Sequence, residues 1–250
     1  MATNGIAPAV GEVIIAHAGF PAYFVTAAVL GAAAFVLTAT LVTEPPRDEA
    51  MSVAAGGGVL RAMREAIRRG RLGPLLAATG LFGVGINSVF VFVAPYTRRL
   101  GLERAGPFFA AYAGASIAVR IVGRRLPDRV GPHRMAIPAF ALYAAALGSL
   151  CLLPHANVLA LAGAAGGVGH GTLFPVLNAL AVTRTPVWLH GTVVSLVTGT
   201  LDLGAVVGTP VCGAIADWVG YPAMYLTVAV ASLGGLALMM VDRRRVREGR

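Results

Sequence analysis

The sequence predicts an all-α, membrane-spanning helical bundle, and three observations carry that expectation. The first is composition. Of the 250 residues, 57% are hydrophobic and 12% charged, and the mean hydropathy is +0.76. Soluble domains carry about 25% charged residues, so a soluble fold of this length has no means of hiding so much apolar surface. The second is segmentation: seven apolar runs, each near the roughly 20 residues that a hydrocarbon core of about 30 Å asks of a helix. The third is charge placement. All 20 basic residues are arginines, and they cluster in short stretches between the runs.

The elements follow in order. A short apolar piece, 5–16, comes first and is too short to cross on its own. The seven full runs are 20–42, 74–96, 106–122, 135–153, 156–182, 191–216 and 221–241. The one long connection is 43–72. Pro45 and Pro46 end the helix before it, and glycines 56–58 loosen it. Then "VLRAMREAIRRG" sets Leu60, Met63 and Ile67 on one helical face and Arg61, Arg64 and Arg68 on another. That pattern suits a helix lying on the membrane surface; the other reading is a solvated linker helix.

If every run crosses, seventeen arginines fall on one side and only Arg98, Arg99 and Arg104 on the other. The positive-inside rule assigns the first side to the cytoplasm, and with it the C-terminus. A missed or added span would scramble this asymmetry. Nucleic acid is not the partner that such basicity implies here, because no basic helix or aromatic stacking platform accompanies it. Cys151 and Cys212 are too few for a disulfide framework or a metal site, and both read as small buried hydrophobes. No basic stretch precedes the first apolar one, so no cleavable signal peptide is expected.

Ionisable groups at membrane depth are costly, about 2.5–3.5 kcal/mol for Asp at a helix centre on insertion scales, and they mark function. Asp202 lies about eleven residues into its run, roughly 16 Å at helical rise. Ser195, Thr198 and Asp202 share one helical face, which Thr209 continues. The stripe is read either as the lining of a water-filled solute path or as a structural hydrogen-bonding strip. His170 is the only histidine deep in a run, spaced i, i+4, i+8 with Phe174 and Asn178. It is read either as path-facing, pairing with Asp202 to couple protons, or as a packed neutral histidine. On another face of that helix Gly163, Gly167 and Gly171 recur every four residues, a spacing that lets helices approach closely. Asn87, with Thr79 and Gly83, and Tyr112, with Ser116 and Arg120, are further lining candidates. Glu12 sits near the outer end of its helix and reaches water. His17, His133, His155 and His190 are loop or interface residues without metal-ligand spacing. "GGVGHG" at 166–171 lacks the strand–turn–helix context of a nucleotide site.

One phrase is written twice. "GFPAYF" at 19–24 returns as "GYPAMY" at 220–225. Upstream, Pro8 and Gly11 match Pro210 and Gly213. Each copy sits at an expected helix hairpin on the outer side, six spans apart, and is followed by an apolar run and a basic stretch.

Six-span halves repeated in parallel describe a transporter architecture whose halves are related by an axis along the membrane normal. On this repeat, and on the loop "GRRLPDRVGPHR" at 123–134, the sequence resembles the major facilitator superfamily over essentially its whole length. Asp128, Arg129 and Gly131 match the family's cytoplasmic loop motif; the family's earlier Gly position is Arg124 here, with Gly one place before it. "IAPAVG" at 6–11 resembles the Gly-Pro motif of the fifth helix associated with exporters, with Ala7 at its leading Gly.

The resemblance implies the following layout. Residues 1–42 close the N-terminal half, 5–16 being the end of its fifth helix and 20–42 its sixth. Residues 43–72 form the central loop, 73–242 the C-terminal six-helix half, and 243–250 a basic cytoplasmic tail. The first four helices would lie outside this sequence, which would then be a piece of a longer chain. Asp128, Arg129, Gly131 and Arg134 would brace a cytoplasmic gate, the plainer reading being an ordinary positive-inside turn. The activity implied is secondary transport of a small solute across the inner cell membrane, with export driven by protons, no cofactor and no enzymatic chemistry. The site would lie between the halves near the midplane. The rival expectation is a non-transporting membrane remnant, or a subunit that needs a partner chain.

Overall fold

Helix follows helix along the described residues. The structure, a computed structural model, describes residues 2–42, 58–102, 105–123, 126–152 and 156–248, and among them no residue is in a strand. The chain divides into two compact units, Met1–Gly56 and Gly57–Arg250.

The first unit is built on α1, Ala2–Leu41. Gly19, with φ 78° and ψ 174°, breaks it into two helical arms, 2–18 and 20–41. Gly11 of the first arm is buried under Tyr23 of the second; a Cβ there would come within 2.9 Å of the tyrosine ring. The second arm is apolar on every side, with Phe20, Phe24 and Phe35 all exposed within this chain. A helix without a polar face is a membrane span or a core helix. The side chains of Pro8 and Glu12 lie outside the described residues.

The second unit contains α2 (Val59–Gly70), α3 (Gly73–Arg99), α4 (Gly106–Val122), a short α5 (Leu126–Val130), α6 (Pro132–Ser149), α7 (Ala156–Val182), α8 (His190–Trp218) and α9 (Tyr221–Glu248). Six helical segments of the described chain are long and apolar enough to cross a membrane: Val13–Leu41 in the first unit and, in the second, those carried by α3, α6, α7, α8 and α9. The seventh apolar helix, α4, has 17 residues, about 26 Å at helical rise and at the short end of the spanning range. The fold is thus the polytopic helical bundle that the apolar runs predict.

Packing within the second unit runs in pairs. Helix α4 lies along α7, α3 along α8, α7 along α6, and α9 against both α3 and α6. The tightest pairs meet through glycine. A Cβ on Gly163 would land on the Phe108 carbonyl, and one on Gly167 on the Tyr112 carbonyl. One on Gly171 would lie 2.6 Å from Val119 Cγ1. The α3–α8 pair does the same with Gly83 against Leu201 and Gly204 against Gly80. Without a hydrophobic driving force between helices in lipid, such close backbone approach supplies the dispersion contact that holds a pair together. Phe82, Phe140 and Tyr143 fill the centre with edge-to-face rings 5.3 and 6.1 Å from Phe82.

Helix α2 rests on α8, and its Ala66 is fully buried. Its Leu60 stays 82% exposed and Ile67 is also exposed. The apolar stripe expected from the sequence is therefore only partly consumed by the bundle.

The repeated phrase builds the same turn twice. Gly220, at φ 103°, separates α8 from α9 as Gly19 separates the two arms of α1. A Cβ at either glycine would meet only the Cδ of the following proline, Pro21 at 3.6 Å or Pro222 at 3.7 Å. Space is open at both, so what excludes other residues is the torsion angle, and proline then starts the next helix where its missing N–H costs nothing. Gly220→Val should destabilise the folded protein by about 1–3 kcal/mol, read as a lowered Tm in detergent. An unchanged Tm would show that the turn relaxes freely.

Candidate functional site

The polar residues picked out by depth separate into three groups. The first is the stripe on α8. Ser195 and Asp202 are exposed, and Thr198 and Thr209 are half-buried. Among the described residues Asp202 makes no hydrogen bond or ion pair. Thr209 is tied down: its hydroxyl donates to the Ala205 carbonyl at 2.6 Å, and it accepts from the Asn87 amide of α3. Asn87 thus reaches the stripe from the neighbouring helix, and a carboxylate at mid-helix is left on an uncovered face.

The second group is interior. His170 is 3% exposed, and its Nδ1 lies 2.6 Å from the Tyr112 hydroxyl. Phe82 presents its edge to the imidazole with the ring centroids 5.6 Å apart. When the tyrosine donates to Nδ1, the neutral ring carries its proton on Nε2, an atom with no partner among the described residues. Ser116 and Tyr143 are buried in the same unit. Asn178 turns back on its own helix, donating to the Phe174 carbonyl at 2.9 Å. The His170–Asp202 pair expected as a possibility is not formed: His170 faces the packed interior and Asp202 faces out of it. Periodicity placed both at depth; it carried no information on which way each helix is turned.

The third group was not anticipated. On the side of the bundle where α6 begins and α9 ends, Asp242 is 2% exposed and accepts from both terminal nitrogens of Arg184, at 3.0 and 2.5 Å. His133 Nε2 lies 2.8 Å from the same carboxylate and 2.7 Å from Arg184. One nitrogen cannot serve both: it donates to Asp242 in one tautomer and accepts from Arg184 in the other. The cluster ties α6, the connection after α7, and α9 together. Of the loop residues expected to brace a gate, Arg129 and Arg134 are exposed and Gly131 caps α6. The side chain of Asp128 and all of Arg124 lie outside the described residues. The signal for the charged tie was an acid, Asp242, standing directly before three arginines at the end of an apolar run. Among the described residues no group of three or more acidic, His or Cys side chains is placed to hold a metal.

Known proteins resemble this chain over most of its length. The family model of the Major Facilitator Superfamily matches residues 1–164 and again 109–250. An uncharacterized MFS-type transporter of Pseudomonas aeruginosa is 31% identical over 180 residues, covering 71% of this chain and 44% of the relative. Uncharacterized MFS-type transporters of Burkholderia mallei and Burkholderia pseudomallei are 30% identical over 251 aligned positions, covering 97% of this chain and 59% of each relative. The chain therefore spans about half the length of the curated relatives it matches.

Proposed function

This chain belongs to the major facilitator superfamily, and from that membership we propose that it forms the C-terminal portion of a secondary transporter that moves a small solute, by proton-driven export. The relatives are named as transporters, not as enzymes, and the multi-pass helical architecture suits that role. The observation that carries the reading is Asp202. A carboxylate at mid-membrane costs free energy wherever it sits. Here it stands without a partner among the described residues, exposed, with Ser195 and Thr198 alongside. In a transporter that face lines the solute path, and the carboxylate takes up and releases the coupling proton. Asn87 and Thr209 fix the neighbouring helix against the stripe. Behind it the Tyr112–His170 hydrogen bond ties α4 to α7, with Ser116 buried on α4 and Asn178 bonded within its own helix. The exporter-like phrase at 6–11 supports the outward direction. Asp128, Arg129, Gly131 and Arg134 form the cytoplasmic gate region, with the His133–Arg184–Asp242 tie bracing the helix ends beside it. The tail then lies in the cytoplasm, as the arginine asymmetry requires.

A screen of toxic compounds for resistance conferred by expression identifies an exported solute. Asp202→Asn should then abolish that protection, and with it proton-driven flux into everted vesicles, while the level of protein in the membrane stays the same. Full protection by the variant would remove Asp202 from the coupling step. The exposed α8 face also favours a second reading, a membrane subunit whose stripe is covered by another chain. Crosslinking from a cysteine placed at Ser195 distinguishes it: a single foreign partner of fixed mass, with no resistance phenotype, supports the subunit.

A further inference from the structure

We propose that a cavity on the flank of the second unit, between α4, α5, α6 and α7, binds an anionic phospholipid, its phosphate held by Arg120 and Arg134 and an acyl chain lying along the apolar wall. The cavity holds about 620 Å³, within the range of ligand-sized pockets. Its wall is apolar, with Val119 of α4, Leu142 of α6 and Val168 and Val176 of α7 among its residues. Leu126, Val130 and Leu142 of its lining are exposed, so it opens at the surface of the unit.

Charge complementarity identifies the occupant. Among the described residues Arg120 and Arg134 are the only charged side chains lining the cavity, and none of them is an acid. Arg120 stacks over Phe174 at 5.8 Å. Its Nε and one Nη are shut off from solvent and have no hydrogen-bond partner among the described residues. A half-buried guanidinium with two shielded and unpaired donor atoms favours an anion, and a phosphate supplies both the charge and the acceptors that its planar donors fit. Arg134 stands exposed at the mouth, one turn into α6, whose N-terminal end adds a partial positive charge. A soluble anion would satisfy the arginines but leave the apolar wall bare. A zwitterionic lipid would fill the wall but bring its own cation to the arginines. Basic pockets between spans at the headgroup level favour anionic lipids for this reason.

The test uses the whole chain, expressed in membranes, extracted in styrene–maleic acid particles and exchanged into mild detergent. Native mass spectrometry then follows the binding of added phosphatidylglycerol and phosphatidylcholine. The wild type should prefer phosphatidylglycerol by roughly tenfold or more. Arg120→Gln/Arg134→Gln should bring that preference to near one while circular dichroism stays helical. Leu142→Trp, which fills the cavity, should remove both lipids, and it decides the matter if the arginine variant does not fold. Equal binding of the two lipids by the wild type, a preference that survives the double variant, or retention by Leu142→Trp would each overturn the proposal. So would full displacement of phosphatidylglycerol by inorganic phosphate, which would mark a site for a soluble anion.

Discussion

Gly167→Val is expected to drive α4 away from α7 and to leave the second unit unable to hold its native packing. The added side chain would meet the Tyr112 backbone carbonyl, which cannot rotate aside as a side chain does. Overpacking costs typically 1–3 kcal/mol, occasionally more, and backbone against backbone belongs at the upper end. The displaced Tyr112 is also the hydrogen-bond partner of His170, so the polar interior is disturbed together with the helix pair. The measurement is the melting temperature of the detergent-solubilised protein by fluorescence-detected size exclusion. Gly114→Val, on α4 with nothing within 4 Å of its Cβ, is the control and should melt like the wild type. Equal melting of Gly167→Val and the control would show that the α4–α7 approach contributes nothing to stability.

The second large effect is expected at Asp242. Asp242→Asn keeps the shape of the side chain and removes its charge, leaving the Arg184 side chain, only 13% exposed, without a counter-ion among the described residues. Breaking a buried pair from one side costs about 3–5 kcal/mol. The double replacement Arg184→Met/Asp242→Leu removes both charges and should recover much of that loss, since buried pairs exchanged for apolar groups are often neutral or better. Unfolding followed by protease susceptibility of the α6–α9 ends reads both. A single variant as stable as the wild type would mean that Arg184 finds water or another acid at once.

The helices were legible because the bilayer imposes a length. Each span needs enough apolar residues to cross, and Gly106–Val122 in the structure has the bounds that the hydropathy run has. The turn at Gly19 and Gly220 was legible because proline and glycine act locally, within two residues of where they stand. Orientation was not. In a chain where nearly every helical face is apolar, the i, i+4 spacing of His170, Phe174 and Asn178 says that they share a face but not whether that face looks inward. Asp202 was found by depth, and its exposure came only with the neighbours that do not cover it. Asp242 escaped because a charged residue ends a hydropathy run, whereas the helix itself continues through Glu248. The α3–α8 interlock escaped for a different reason: Gly80, Gly83 and Gly204 stand on two helices far apart in sequence, and no single-chain periodicity joins them.

The two-residue join between Trp218 and Tyr221 has a consequence for biogenesis. A connection that short cannot let one of its helices enter the membrane in either direction while the other stays put. Helices α8 and α9 must be delivered as a hairpin and must invert, if they invert at all, as one object. C-terminal charges can flip the topology of a membrane protein, and here the arginines that follow Asp242 cast their vote for both helices at once. Stripping those arginines would weaken the orientation of both helices together, never of α9 alone.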